Sequence, residues 1–305
     1  MKTLIVLDRL SHALQEEKIA GKWLLTVLYG KQKYWWLLAW FLRPCLSRFP
    51  WFSACIGWLQ KRSWTRAHIR AFIDKHHIDQ SEFVRPVSAF TSFNDFFIRK
   101  LQPHVRPIAY GDDVAILPAD GRYLVYPDIA LVDGFWVKGQ RFCLEKLLQD
   151  KDLAAQYAHG ALVIARLCPS DYHRFHFPIH CVPSKTSAMS GSLYSVNPIA
   201  LKRRIAILAE NKRQLTHLSS LRFGNVLCIE VGATCVGTIH QTFCPGEHYV
   251  KGEEKGYFSF GGSTMLLFFL PGRILLDHDL VEASQERLEV RGLMGQSLGR
   301  ALSEL

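Results

Sequence analysis

Apolar residues are spaced in two ways along this chain, and the spacing changes near residue 115. Before that point the pattern is helical or uninterrupted. Leu10, Leu14 and Ile19 precede a denser Trp23-Leu24-Leu25 and Val27-Leu28 patch, which predicts a helix over Asp8 to Tyr29. Tyr34 to Leu42 is uncharged for nine residues and stops at Arg43-Pro44, and Phe49 to Gln60 is uncharged for twelve and stops at Lys61-Arg62. A membrane-spanning helix needs about 20 apolar residues. Both runs therefore read as short helices lying in a membrane interface. A buried helical subdomain and a tilted or re-entrant insertion are the other readings. Ser63 to His77 has the spacing of an amphipathic helix with Ala67, Ala71 and Phe72 on one side. Pro86 marks a linker, Phe93 to Arg99 a short helix, and Leu101 to Pro107 an extended stretch with two prolines.

From Ala115 onward the apolar runs are short, β-prone and broken by Gly, Pro and Asp. They predict strands at Tyr123–Tyr126, Phe135–Val137, Leu162–Leu167, Val226–Val231 and Cys235–Ile239, with helices at Leu144–Leu148 and Lys202–Glu210. One stretch stands out. In Lys251 to Leu270, Phe258 and Phe260 lead into Gly261-Gly262-Ser263-Thr264, and Met265 to Leu270 lead out. This predicts two strands joined through a glycine-rich bend. The fold class is α+β, with N-terminal membrane-associating helices over 1–85 and a β-rich domain over 86–305.

Charge sharpens the division. The chain carries 37 Lys/Arg against 27 Asp/Glu, a net of +10. Residues 1–85 hold 14 Lys/Arg, 6 Asp/Glu and seven of the eight tryptophans. Basic charge with aromatics can mark nucleic-acid binding. Here the aromatics sit among Leu, Val, Ile and Ala, and Trp beside Lys/Arg is the composition of a membrane interface. The reading is anionic membrane and no nucleic acid. The eight cysteines form no CxxC pair, which suggests reduced thiols facing the cytosol. MKTLIVLDRL has too short an apolar run before Asp8 for a signal-peptide core.

Four places offer chemistry. Ser263 can be a turn residue, or it can attack the carbonyl of Gly262 and turn that peptide bond into an ester. Asp120, in Pro118-Ala119-Asp120-Gly121-Arg122, has the form of a turn. His173 and His176, in Ser170 to Pro178, lie three apart but have no further His/Cys cluster at zinc spacing, so no metal is expected. Val231 to Ile239 lacks the ending of a phosphate loop. Asp, His and Ser together can form an orienter, a base and a nucleophile, although spacing alone does not bring them together. A serine hydrolase would use the same trio, but the G-x-S-x-G elbow is missing.

The chain resembles the phosphatidylserine decarboxylases, pyruvoyl-dependent enzymes made as self-cleaving proenzymes. The resemblance rests on FNDFFIRKLQPHVRPI at 93–108, PADGR at 118–122, PSDYHRFHFP at 169–178, EVGATCVGTI at 230–239 and KGEEKGYFSFGGST at 251–264. Gly261 stands where bacterial members often have leucine, and Gly262-Ser263 is intact. The resemblance implies a catalytic decarboxylase domain over 86–305. It makes Ser263 the self-cleavage nucleophile and future pyruvoyl group, His176 and Asp120 its triad partners, and His173 a substrate-positioning or proton-transfer residue. Cleavage of Gly262–Ser263 would give a β-chain of 1–262 and an α-chain of 263–305 that stay together. The amine of phosphatidylserine would form a Schiff base with the pyruvoyl group, lose CO2 and leave as phosphatidylethanolamine. The expected place is the cytoplasmic face of the cell membrane, as a peripheral protein. A homo-oligomer is left open.

Overall fold

The computed structural model describes residues 4–17, 57–130, 143–196, 200, 204–233, 238–259, 261 and 263–302. The helices expected between residues 18 and 56, the strand expected at Phe135–Val137, most of Cys235–Ile239, and Phe260 and Gly262 lie outside them.

Among the described residues, sixteen strands form three sheets. In chain order they begin with β1 (Leu4–Asp8), β2 (Leu14–Glu17), β3 (Val114–Ile116), β4 (Gly121–Tyr126), β5 (Ala161–Leu167) and β6 (Arg174–His176). Next come β7 (Val182–Pro183), β8 (Ser187–Met189), β9 (Arg213–Ser220), β10 (Gly224–Gly232) and β11 (Ile239–Gln241). The last are β12 (Glu254–Phe258), β13 (Ser263–Phe269), β14 (Ile274–Leu276), β15 (Glu289–Gly292) and β16 (Ser297–Ala301). The large sheet has the order β2-β1-β15-β4-β5-β13-β10-β9-β7, with β8 also on β9. The two small sheets are β11-β12-β6 and β14-β16-β3. The β1–β15 pair is parallel, and the other strand pairs are antiparallel. The α-helices among the described residues are α1 (His68–His76), α2 (Phe93–Phe97), α3 (Leu144–Leu148), α4 (Lys151–Tyr157), α5 (Ile207–Glu210) and α6 (His278–Gln285).

The central strands β4, β5, β10 and β13 are apolar on both faces because both faces are covered. Alternate residues serve opposite sides of a strand. Met265, Leu267 and Phe269 of β13 join Ala165 of β5, Phe175 of β6, Phe258 of β12 and Leu280 of α6 in one core. Leu266 and Phe268 join Leu147 of α3, Tyr157 of α4 and Leu208 of α5 in a second. The two strands flanking the glycine-rich bend exist, but they do not pair: β12 belongs to a small sheet and β13 to the large one. The bend therefore carries the chain between layers. Gly261 has φ +132°, a conformation that favours glycine.

The N-terminal segment differs from expectation. No helix begins at Asp8, because Leu4–Asp8 and Leu14–Glu17 are strands of the large sheet, Leu14–Glu17 at its edge and Leu4–Asp8 next to it. The helical spacing of Leu10 and Leu14 misled, since both are largely exposed. Polar groups fix this segment instead. Arg9 binds Asp277 at 2.8 Å and Asp279 at 2.6 Å. Glu17 binds Arg122 at 2.9 Å and Arg166 at 2.8 Å. Further on, Ser63–His77 is a 3-10 turn followed by α1, and the buried residues of α1 are Ile69 and Ile73. They pack on Phe83, Phe90, Phe93, Phe96 and Phe97, a phenylalanine cluster around α2. The Ser92 hydroxyl caps α2 by accepting from the Asp95 amide at 3.2 Å. The structure is thus mixed α/β and mostly sheet.

Close packing within the small β11-β12-β6 sheet rests on Gly256. A Cβ there would lie 2.1 Å from the His240 carbonyl oxygen and 2.7 Å from Cζ of Phe175. Gly256→Ala is expected to cost about 1–3 kcal/mol through overpacking. A lowered midpoint in denaturant unfolding checks this, and an unchanged midpoint contradicts it.

Candidate active site

Antiparallel pairing places the chemistry-bearing segments at one end of the large sheet. Ser263, the first residue of β13, pairs with Leu167, the last of β5, and with Gly232, the last of β10. Arg122 pairs with Arg166, so the start of β4 lies at the same end, with Asp120 just before it. The 168–173 loop leaves β5 there and enters β6, which ends at His176. The His176 amide donates to the Pro118 carbonyl at 2.8 Å, tying β6 to the segment that carries Asp120. Ser263 lies two residues before Met265, so its side chain faces the layer that contains β6 and β12.

The Ser263 hydroxyl is fully buried and has no hydrogen-bond partner among the described residues, and the same holds for the neighbouring Thr264 hydroxyl. Leaving a hydroxyl in that state costs about 1–3 kcal/mol.

The two histidines are buried in different surroundings. The His173 ring stacks on Phe97 with centroids 3.9 Å apart. Its Nε2 lies 2.9 Å from the Cys168 carbonyl oxygen. A carbonyl only accepts, so Nε2 carries the proton and Nδ1 keeps its lone pair. That Nδ1 is buried without a partner. Burial pushes the His173 pKa down from 6.5 to about 3. The His176 ring stacks on Tyr172 at 5.7 Å, and its Nδ1 is likewise buried and unpartnered. Burial lowers the His176 pKa from 6.5 to about 4, with the charges of Glu254 and Asp120 opposing the shift. Both imidazoles are neutral at pH 7.

Asp120 is held firmly, but by groups the sequence did not suggest. Its carboxylate accepts from Arg106 Nη2 at 2.6 Å, from Arg106 Nε at 3.0 Å and from the Met294 amide at 2.9 Å. Arg106 continues to Glu82 at 2.9 Å. No hydrogen bond joins Asp120, His173, His176 and Ser263 to one another among the described residues. Arg106 lies in the stretch read only as an extended, proline-containing segment, and no local signal pairs it with Asp120.

Two further charged groups support the site. Arg122 binds Asp171 at 2.6 Å, and the Asp171 carboxylate accepts from the Cys168 amide at 2.6 Å, which fixes the loop leading to His173. Burial raises the Cys168 thiol to about 12, so it stays protonated. On the Ser263 side, Lys255 and Glu230 form a fully buried ion pair at 2.8 Å. Lys255 occupies a register shift of β12, where Glu254 faces His176 and Gly256 faces Phe175. The bulge turns its side chain into the core. A cavity of about 390 Å³ opens beside this end of the sheet, with Asp120, Cys168, Tyr172 and Arg99 on its wall.

The family model described as phosphatidylserine decarboxylase matches residues 93–300. Among curated relatives, the phosphatidylserine decarboxylase proenzyme of Chlamydia pneumoniae is 54% identical over 259 residues, 85% of this chain and 86% of that protein. The proenzymes of the same name from Chlamydia felis and Chlamydia caviae are each 48% identical over 304 residues, the full length of both chains.

Proposed function

The chain belongs to the phosphatidylserine decarboxylase family, self-cleaving proenzymes of phospholipid biosynthesis that convert phosphatidylserine to phosphatidylethanolamine and CO2, and on that premise we propose that Ser263 is its cleavage nucleophile. The observation that carries this is the buried, unpartnered Ser263 hydroxyl at the strand-end row. No hydrogen bond has to be broken before it attacks.

In the proposed sequence, the Ser263 oxygen adds to the Gly262 carbonyl and the Ser263 nitrogen leaves, giving an ester. Loss of the Ser263 α-proton then expels the Gly262 carboxylate and leaves dehydroalanine, which takes up water, releases ammonia and becomes the pyruvoyl end of the α-chain. His176 is the base. Its neutral imidazole accepts the hydroxyl proton, and Asp120 favours the resulting imidazolium through its charge. The residues around Ser263 fit a pyruvoyl group: the position is fully buried, and Met265, two residues on along the same strand face, lies in the core. The group would supply the electron sink for decarboxylation. His173 would position substrate or carry a proton at Nδ1, the atom left free by the Cys168 carbonyl.

The α-chain would remain bound after cleavage, because β13 lies between β5 and β10. We assign the mature protein to the cytoplasmic membrane surface, with residues 1–85 as the associating region and phosphatidylserine as the lipid partner. Exposed Trp58 and Trp64 support this, with the Arg62 guanidinium 3.7 Å above the Trp58 ring. Among the described residues no helix is long and apolar enough to cross a membrane.

The test follows intact mass over time in freshly synthesised chain across pH. The rate is expected to be flat from about pH 8 to pH 5 and to fall as pH drops through about 4, where His176 takes its proton. A decline centred on 6.5 would contradict a buried base. His176→Ala is expected to slow cleavage about 10²- to 10⁴-fold. The sign for stability follows from the same depressed values. Below 6.5 the unfolded chain binds protons that the folded chain refuses, so stability is lost as pH falls from 6.5 towards about 4.

A further inference from the structure

Among the described residues, one guanidinium at this end of the sheet has no carboxylate partner. Arg99, two residues past α2, is only 3% exposed. Its Nη2 donates to the main-chain carbonyls of Ser170 and Asp171 at 3.1 and 3.2 Å. Its Nε and Nη1 are buried and donate to nothing among the described residues. The rings of Phe83 and Phe96 flank the guanidinium at 5.3 and 4.9 Å. The neighbouring arginines on the cavity wall are already committed: Arg106 holds Asp120 and Glu82, and Arg122 holds Asp171 and Glu17. Burial lowers Arg99 to about 10, so it remains a cation at neutral pH. A buried cation with unused donors is costly until an anion completes it. The cavity of about 390 Å³ that it lines has the size of a small-ligand site.

We propose that Arg99 recognises the headgroup of the lipid substrate, its free Nε and Nη1 donors binding the phosphodiester in the cavity beside Asp120 and Tyr172. The proposal rests on the decarboxylase reading. Arg99 is tied to the reacting end of the sheet through the loop it holds. Ser170 and Asp171 follow Leu167, the strand partner of Ser263, and Phe97 stacks on His173. The headgroup offers two anions, and the chemistry selects between them. The carboxylate must lose its charge as CO2, so a guanidinium on it would favour the ground state and slow the reaction. The phosphodiester keeps its charge from binding to release. A guanidinium there strengthens ground and transition states equally, which is uniform binding.

Mature Arg99→Gln and Arg99→Lys proteins, first checked by intact mass for normal cleavage, are assayed on dihexanoyl phosphatidylserine in solution. For Arg99→Gln, KM is expected to rise about 10- to 100-fold with kcat within about 3-fold, and Arg99→Lys to fall between Gln and wild type. An unchanged KM, or a fall in kcat alone, overturns the proposal and leaves Arg99 as a brace for the 170–171 loop. Should Arg99→Gln fail to fold or cleave, the wild-type enzyme decides. Glycerophosphoglycerol, a soluble phosphodiester without an amine, is expected to compete with substrate, and inorganic phosphate to compete more weakly. Absence of competition by both overturns the proposal. Competition by inorganic phosphate alone also overturns it, and marks a free-phosphate site instead. Failure of the decarboxylase reading looks different: the wild-type chain stays uncut and turns over no lipid.

Discussion

Ser263→Ala is expected to leave one uncut chain of 305 residues, where the wild type is expected to separate under denaturing conditions into 1–262 and 263–305. Lipid decarboxylation should fall by at least about 10⁶-fold, the low end of enzymatic acceleration, because the electron sink is never made. The fold should not suffer. The hydroxyl that is removed is buried and bonds to nothing among the described residues, so its loss is expected to be neutral or to stabilise by up to about 1 kcal/mol. Intact mass, a denaturant midpoint and a lipid assay on one preparation separate the two effects. A cut in the alanine variant would assign the nucleophile elsewhere. An unfolded variant would mean that the hydroxyl has a structural partner.

Lys255→Met is expected to cost about 3–5 kcal/mol, the usual penalty for removing one member of a buried ion pair. Lys255 spends its three donors on Glu230 at 2.8 Å, Gln241 at 2.9 Å and Thr216 at 3.1 Å. Without it, the Glu230 carboxyl is left in the core with only neutral donors, Gln241 Nε2 at 2.9 Å and the Cys228 thiol at 3.2 Å. Adding Glu230→Gln removes the orphaned carboxyl and should recover more than half of the loss. The measurement belongs in the Ser263→Ala background, where the chain is uncut and unfolding can be treated as two-state. Equal losses in the single and double variants would show that packing of the long side chain, not its charge, holds β12 on β10. The pair joins the layer carrying His176 to the sheet carrying Ser263, so cleavage in the wild-type background should slow as well.

The sequence was readable where burial is two-sided. Strands β4, β5, β10 and β13 and helix α3 lie within a residue or two of where apolar runs put them, because covered faces demand continuous Val, Ile, Leu and Phe. Residues 8–17 were misread because their place is fixed by Arg9 and Glu17, whose partners lie more than 100 positions away. Lys255 was passed over for a related reason. In an alternating strand a lysine reads as solvent-facing, and only the bulge turns it inward. The cleavage stretch could be read as motif blocks in order, whereas the Arg106 clamp on Asp120 could not. Ion pairing between residues 14 apart leaves no periodic trace. The lone state of Arg99 is visible only once its neighbours' partners are known.

The position of Ser263 also governs how the protein can be made. Cleavage there would hand the central strand β13, together with β14, α6, β15 and β16, to a separate short chain. That chain would supply the partners of β5 and β10 in mid-sheet, and of β1, β4 and β3 elsewhere. Before the cut, these pairings form within one molecule at the high effective concentration a tether provides. After it, an unfolded enzyme can be rebuilt only by collision of two fragments, at a rate that falls with dilution. The long fragment holds only the β11-β12-β6 sheet complete and the short one none, and each would expose strand edges prone to aggregation while it searched. Maturation would thus exchange reversible folding for kinetic persistence: the lifetime of the enzyme becomes a matter of how slowly it opens.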